Sequence, residues 1–402
     1  MKDVLVVGAG PAGSFIATLL ARRGLDVLLV DRARFPRWTV CGACLSGAAV
    51  GQLRAEGLAG ILDEAGAVLL ARMELRGWGR RADLRVFGGR VLSRAALDQA
   101  LATAARDSGA ELRMGTRARL GPWSGAGRQV ELLGENGSPQ RVHARVVVAA
   151  TGLHPLPGIG ETRGDTAVHL DPGSRVGVGA VVLDWEGGPA RGTVRMTVGP
   201  GGYAGQVRQE DGSWVLAGAL DPAWLRARGG PGPAMEALIA AEGASTRWVV
   251  REGWRGTPAL TRRRAPRAEE GVFYLGDAAG YVEPFTGEGM GWALRGAREL
   301  QDLVVQGVSR WSPHLVDEWD RLYERRVGSL QGLCRGLAWL GRRPTLARSV
   351  VSVVSWAPWL ARPALRRVSG VPLGLRAGHR LSNPPPSIEP HSVDSPASQS
   401  GP

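Results

Sequence analysis

The chain has 402 residues, 44% of them hydrophobic, more than one hydrophobic core usually organises; two interlocked domains, or one domain with a helical appendage, are expected, with room to bury a large cofactor. Its 50 Lys+Arg against 37 Asp+Glu give a formal charge of +13, yet Lys2 is the only lysine and the arginines are scattered, without basic runs interleaved with aromatics, so no nucleic acid partner is expected. Cys41, Cys44 and Cys334 cannot make a disulfide framework, no targeting segment is read at the start, and no apolar run reaches the roughly 18 residues of a membrane span, so a cytoplasmic location is expected.

DVLVVGAGPAGSFIATLLARRG reads as an apolar strand, a Gly8-x-Gly10-x-x-Gly13 turn with Pro11 and Ala12 inside it, and an amphipathic helix. Gly8 permits the tight turn, Gly10 lets backbone approach a pyrophosphate, and Gly13 lets helix pack close on strand, while the helix start faces the negative charge. GLDVLLVDR supplies a second buried strand ending in Asp31, placed to accept hydrogen bonds from an adenosine ribose; Arg32 and Arg37 come next as candidate contacts. A free 2′-hydroxyl is implied, favouring FAD or NAD over NADP.

The next segment, RFPRWTVCGACLS (34–46), holds a CxxC. A zinc site needs a second ligand pair, and Cys334 stands alone among dispersed histidines. A redox dithiol needs a second glycine fingerprint for a nicotinamide cofactor; RVGVGAVVLD (175–184) offers Gly177-x-Gly179 but Val182 where a third glycine belongs. The remaining reading is the wall of a binding pocket.

VLSRAALDQALATAARDSGAEL (91–112) is a helix carrying Arg94, and RVVVAATG (145–152) is a strand delivering Thr151-Gly152. His154 behind it reads as a loop residue. Strand-like segments near 176–184, 192–198, 203–208 and 213–219 alternate with Gly/Pro turns. GVFYLGDAAGYVEPFTGEGMGWALRGAREL (271–300) is a short strand delivering Gly276-Asp277, a small-residue turn, and a helix opened by Pro284, Gly287, Gly289 and Met290. An acid at a strand end suits ribitol hydroxyls, and the free amides of a helix start suit a flavin pyrimidine edge. Trp38, Trp254 and Trp292 flank these motifs. Beyond 300 helical periods dominate. LARSVVSVVSWAPWLARPALRR (346–367), broken by Arg348, Pro358, Arg362 and Pro363, reads as a helix packed on the body, with peripheral membrane contact as the alternative. The Pro/Ser-rich end reads as disordered.

Taken in order and spacing, these motifs resemble flavoproteins of the para-hydroxybenzoate hydroxylase fold, most closely the geranylgeranyl reductase family. GDAAG…P.TGEG and FPR…CGG.LS are that family's signatures. The resemblance implies an α/β fold: a discontinuous Rossmann-type FAD-binding domain (1–75, 91–160 and 251–300) with an inserted antiparallel β-sheet substrate domain (76–90 and 161–250), C-terminal helices (301–380) and a disordered tail (381–402). It implies FAD held by Gly8, Gly10, Pro11, Ala12, Gly13, Asp31, Arg32, Arg37, Cys41, Gly42, Arg94, Thr151, Gly152, Gly276, Asp277, Pro284, Gly287, Gly289 and Met290, with NADPH or NADH as donor. Cys41 falls beside the isoalloxazine, where a thiol can pack or donate a proton; Cys44 is read as packing.

The implied reaction is reduction of a double bond in a small hydrophobic substrate. Tyr203 keeps its place in the family's Y.W.FP element and is the candidate pocket residue. Gly205, Val207 and Arg208 replace the rest, which points from a long isoprenoid towards polyketide-like scaffolds. FAD-dependent hydroxylation of an aromatic or other secondary metabolite is the rival, and a non-catalytic flavin-binding partner protein the second alternative. Halogenases share the fold but rely on a lysine and a W.W.IP element, of which WRGTPAL (254–260) is a faint echo, so halogenation is excluded. Oligomeric state is left open.

Overall fold

The computed structural model describes residues 1–134, 137–158, 168–283, 285 and 287–368. Pro284 of the expected contacts and the expected disordered tail lie outside the described residues.

Among the described residues the chain forms two eight-stranded sheets and a three-stranded one. In the first, Val272–Tyr274, Pro139–Ala149, Lys2–Val7, Val27–Val30 and Glu111–Arg113 run parallel. The stretches VLVV (4–7) and VLLV (27–30) of two inner strands are buried throughout, as strands covered on both faces must be. Helices α1 (Pro11–Arg22), α2 (Arg94–Asp107) and α3 (Gly289–Ser309) pack around this sheet and against one another. Register aligns Val7 with both Val30 and Ala149, and Ala149 with Tyr274, so the segments starting at Gly8, Asp31, Ala150 and Leu275 all emerge at one edge. Carboxyl ends of parallel strands are where such sheets bind ligands.

The second sheet has the order Val249–Ala259, Val176–Leu183, Trp214–Leu220, Gly202–Arg208, Thr193–Gly199, Val68–Gly77, Arg80–Val91, Cys44–Leu45, antiparallel except where Thr193–Gly199 meets Val68–Gly77. Val68–Gly77 turns into Arg80–Val91 through Trp78 and Gly79, both at positive φ (52° and 71°), the twist a two-residue hairpin requires. The four strands expected between 176 and 219 are present within a residue or two. The expected division put 68–75 and 251–259 with the dinucleotide-binding unit; their hydrogen-bond partners place both stretches in the second sheet instead. The third sheet joins Val168–Leu170, Arg262–Arg264 and Gly280–Tyr281.

After α3 the chain continues as His314–Tyr323, then α4 (Ser329–Gly341), α5 (Pro344–Trp356) and α6 (Arg362–Val368). Val351 of α5 and Leu365 of α6 join the apolar cluster on the second sheet, so these helices cover part of its face. No helix among the described residues is long and apolar enough to cross a membrane.

Candidate functional site

Gly8 sits at φ 103°, and a Cβ there would lie 2.3 Å from the Ala150 carbonyl oxygen; one on Gly13 would lie 1.8 Å from that of Gly8. Only glycine lets α1 seat this close to the sheet. A Cβ on Gly10 would meet nothing nearer than the guanidinium groups of Arg94 (3.6 Å) and Arg37 (3.8 Å). The turn thus presents an open approach at the start of α1, flanked by two cations. Pro11 fills the first helical position, where a missing N–H costs nothing.

Both cations are held by buried acids. Arg94 makes a bidentate pair with Asp98, one turn on in α2 (2.7 and 2.8 Å), and Asp98 is completely buried. Arg37 reaches Asp31 (2.9 Å) and lies 3.5 Å from Asp98, and its Nε is buried without a partner. Burial opposes the Arg94 charge, but Asp98 and then the Cys41 thiol outweigh it and lock the guanidinium in its charged form. Asp31 is occupied more than its place in the sequence suggests: it accepts from the Ala9 and Ala33 amides (both 2.8 Å), fixing the glycine turn to the second strand. Arg32 is exposed.

The RFPRWTVCGACLS loop runs from here to the second sheet. Val40 lies 3.3 Å from the Cβ position of Gly179, and Arg255 stacks 4.6 Å over Trp38 while donating to its carbonyl (3.1 Å). A cavity of about 190 Å³ remains between loop and sheet, lined by Arg37, Trp38, Cys41, Arg94, Val181 and Gln209 among others. Cys41 and Cys44 are separate, half-buried thiols. Burial, helped by Cys41, pushes the Cys44 thiol up to about 12, which disarms it as a nucleophile. Gly177 and Gly179, weighed as a second nucleotide turn, lie inside the strand Val176–Leu183.

The downstream motif meets the first one directly. Gly276, at φ 63°, has its Cβ position 3.0 Å from the Ala12 Cβ. Asp277 opens a short 3-10 turn, Gly276–Ala279; burial raises its carboxyl to about 6 against the opposing pull of Arg94 and Arg262. Arg262 also donates to the Leu153 carbonyl (2.7 Å), and Gly152 before it, at φ 66°, has nothing within 4 Å of its Cβ position. Thr151 donates to the His154 carbonyl (2.7 Å), and burial, helped by Arg32 and Arg262, lowers the imidazole of this loop residue. Gly287, at φ 73°, sits 3.6 Å from Cys44, and α3 begins at Gly289 and Met290. Gly8, Gly10, Asp31, Thr151, Gly152, Gly276 and Asp277 therefore follow the strand ends at one edge of the first sheet, with Arg37 and Arg94 beside the glycine turn. Open glycine positions, paired arginines and a helix start at each end make a cradle that fits FAD.

On the side of the second sheet, Tyr203 is buried and packs edge-on against Phe285 with ring centroids 5.0 Å apart. Leu153 and Phe285 from the loops of the cofactor site, and Cys44 and Tyr281 from the short strands beside it, pack on the same cluster. Sequence reasoning missed Glu283 and Arg175. Glu283 is fully buried with no hydrogen-bond partner for either oxygen, and burial raises its carboxyl against the pull of Arg175, 3.5 Å away. Arg175, 1% exposed, also donates to Asp221 (3.0 Å) and to the Gly341 carbonyl at the end of α4 (2.8 Å). No motif spacing signals a pair whose members lie on different domains. Of the three tryptophans, Trp38 lines the cavity, Trp292 lies in the core of α3, and Trp254 packs on the far side of the second sheet against Gly232. Lys2 is paired to Asp26 and Glu111 (2.8 and 2.9 Å) at the opposite end of the central strand from the glycine turn.

A family model described as an FAD binding domain matches residues 1–158. The menaquinone reductase of Mycolicibacterium smegmatis is 28% identical, over 90% of this chain and 94% of that one. Digeranylgeranylglycerophospholipid reductase 1 of Methanopyrus kandleri is 30% identical, over 76% of this chain and 81% of that one. Among solved structures, the flavin-dependent brominase Bmp2 superposes with a TM-score of 0.76 at 16% identity, covering 92% of this chain and 93% of the other, a likeness of fold alone. Sequence kinship to two reductases and a cradle that fits FAD agree, and the chain belongs to the geranylgeranyl reductase-like FAD-dependent oxidoreductases of the para-hydroxybenzoate hydroxylase fold.

Proposed function

We propose that this oxidoreductase reduces a carbon–carbon double bond of a small hydrophobic molecule, isoprenoid or polyketide-like, with electrons drawn from NADPH or NADH. The observation that carries the reading is the meeting of the cofactor site with apolar surface: Leu153, Tyr281 and Phe285 from its side and Cys44 at the edge of the second sheet pack in one cluster with Tyr203. An apolar substrate can enter such a place without stranding polar groups. The names of the two reductase relatives support the same class.

The flavin, when bound, supplies hydride chemistry. Arg37 and Arg94 would hold its pyrophosphate at the start of α1, Asp31 would take the ribose hydroxyls, and Asp277 the ribitol. The amides at Gly289 and Met290 would hold the pyrimidine edge. Tyr203 and Phe285 pack the substrate and exclude water, and Cys41, beside the Arg94 guanidinium, supplies a proton.

Anaerobic mixing of the purified yellow protein with NADPH, NADH or dithionite, then with menaquinone or a geranylgeranyl lipid, tests this. A product heavier by two hydrogens is expected, and with menaquinone the gain must persist after air reoxidises the ring to the quinone, since ring reduction to the quinol adds the same mass. A product heavier by one oxygen under air would replace reduction by hydroxylation, and a flavin indifferent to every acceptor and to dioxygen would leave a binding partner.

A further inference from the structure

Helix α5 carries two apolar stripes. Ala347 and Val351 face inwards and are buried, whereas Leu346, Val350 and Val353, spaced as one helical face, are 43%, 39% and 50% exposed. Trp356 at its end is 88% exposed, followed by Trp359 (60%) and Leu360 (46%). A helix packed on the body is the expectation from sequence; only one stripe of it packs. These six side chains leave on the order of 600 Å² of apolar surface in water, at the upper limit of what a monomer shows without using it.

Charge says what covers the face. From Ser329 to Val368 the sequence holds seven arginines and no lysine, aspartate or glutamate. Arg343, Arg348 and Arg362 are exposed. Among the described residues only Arg342 of this set has an acidic partner, Asp171 at 3.4 Å. Pairing this face with a second copy would set arginines against arginines with no acid to separate them. Tryptophans at the rim of an apolar strip flanked by arginines match the interface of a bilayer, where indole rings sit at headgroup level and cations meet lipid phosphates.

We propose that α5, the turn Pro358–Ala361 and the start of α6 form a docking surface for an anionic lipid bilayer, with Trp356 and Trp359 as anchors. The inner stripe of the same helices packs on the cluster that holds Tyr203. The surface thus stands immediately behind the apolar side of the candidate site. The proposal does not depend on the substrate class proposed above.

Sedimentation of the full-length flavoprotein with vesicles tests it. Binding is expected to phosphatidylcholine vesicles carrying about 30 mol % phosphatidylglycerol, falling at least tenfold without the anionic lipid or at about 0.5 M salt. W356A/W359A is expected to lower binding at least tenfold, and R348Q/R362Q about twenty-five-fold, at about fivefold per arginine, with the flavin-to-protein ratio unchanged in both. Failure to bind anionic vesicles, or equal binding by parent and W356A/W359A, overturns the proposal. So does a lipid-free dimer that W356A/W359A dissolves, which would assign the face to a second copy.

Discussion

Gly8-x-Gly10 and Gly177-x-Gly179 share a spacing and lie in or beside an apolar strand, yet they serve different sheets in different ways. The first ends a parallel strand, takes φ 103° at Gly8 and runs straight into α1. The second lies inside an antiparallel strand, where Cβ atoms would meet Thr257 Oγ1 and the Leu216 carbonyl, both at 2.8 Å. Gly8, Gly177 and Gly179 answer to close approach, whereas Gly10 stands open at a helix start whose amides can face a ligand. Spacing reports a tight place; the helix start after the first strand, absent after the second, decides whether the tightness binds anything.

Substitution at each place tests the contrast. Gly13→Ala, with its Cβ 1.8 Å from backbone, is expected to cost on the order of 3 kcal/mol or more and to lower flavin retention over a hundredfold. Gly179→Ala is expected to cost about 1–3 kcal/mol with the flavin-to-protein ratio intact. Equal flavin loss in both, read from absorbance after gel filtration, would erase the distinction.

Buried ion pairs offer the next comparison. Arg94→Ala leaves Asp98 buried with only Arg37 nearby, and is expected to cost about 3–5 kcal/mol in denaturant unfolding and to release flavin. Arg195→Ala, which strips the 2.9 Å partner of Glu74 in the second sheet, is expected to destabilise while flavin stays bound.

Asp277 separates cofactor binding from stability by pH. Its folded value, about 6, lies above the ordinary 3.8, so its contribution to flavin-free stability is complete below pH 3.8 and lost as pH rises through 6. Flavin-free Asp277→Asn is therefore expected to melt above the parent at pH 7 and to converge with it below pH 4. Flavin affinity of the parent is expected to fall as pH drops through 6, because the ribitol hydroxyls donate to the charged form. A parent whose affinity ignores pH would remove Asp277 from the contact set. The smallest effects belong to the thiols: Cys41→Ala is expected to slow turnover several-fold, and Cys44→Ala to cost about 1 kcal/mol with turnover unchanged.

Much of the cofactor side was legible because its chemistry is local. A strand, a glycine at positive φ and a helix start occupy one short stretch, and the contact of Gly276 with Ala12 joins two stretches each readable alone. The role of Asp31 was half legible: its place at the strand end was evident, its hold on the Ala9 and Ala33 amides was not. The second side resisted because its information is non-local. Val68–Gly77 reads equally well in either sheet until its partners Arg80–Val91 and Thr193–Gly199 are known. The two apolar stripes of α5 look alike in sequence, and only the extent of the second sheet decides which is covered.

Arg175 is one buried cation answering to three groups: Asp221, the Gly341 carbonyl and Glu283, at 3.0, 2.8 and 3.5 Å. None can withdraw without leaving another group short of compensation in a dry interior. The junction of the second sheet, the terminal helices and the loop at Glu283 is therefore expected to open as one cooperative unit, and hydrogen exchange at these three places should report a common opening energy.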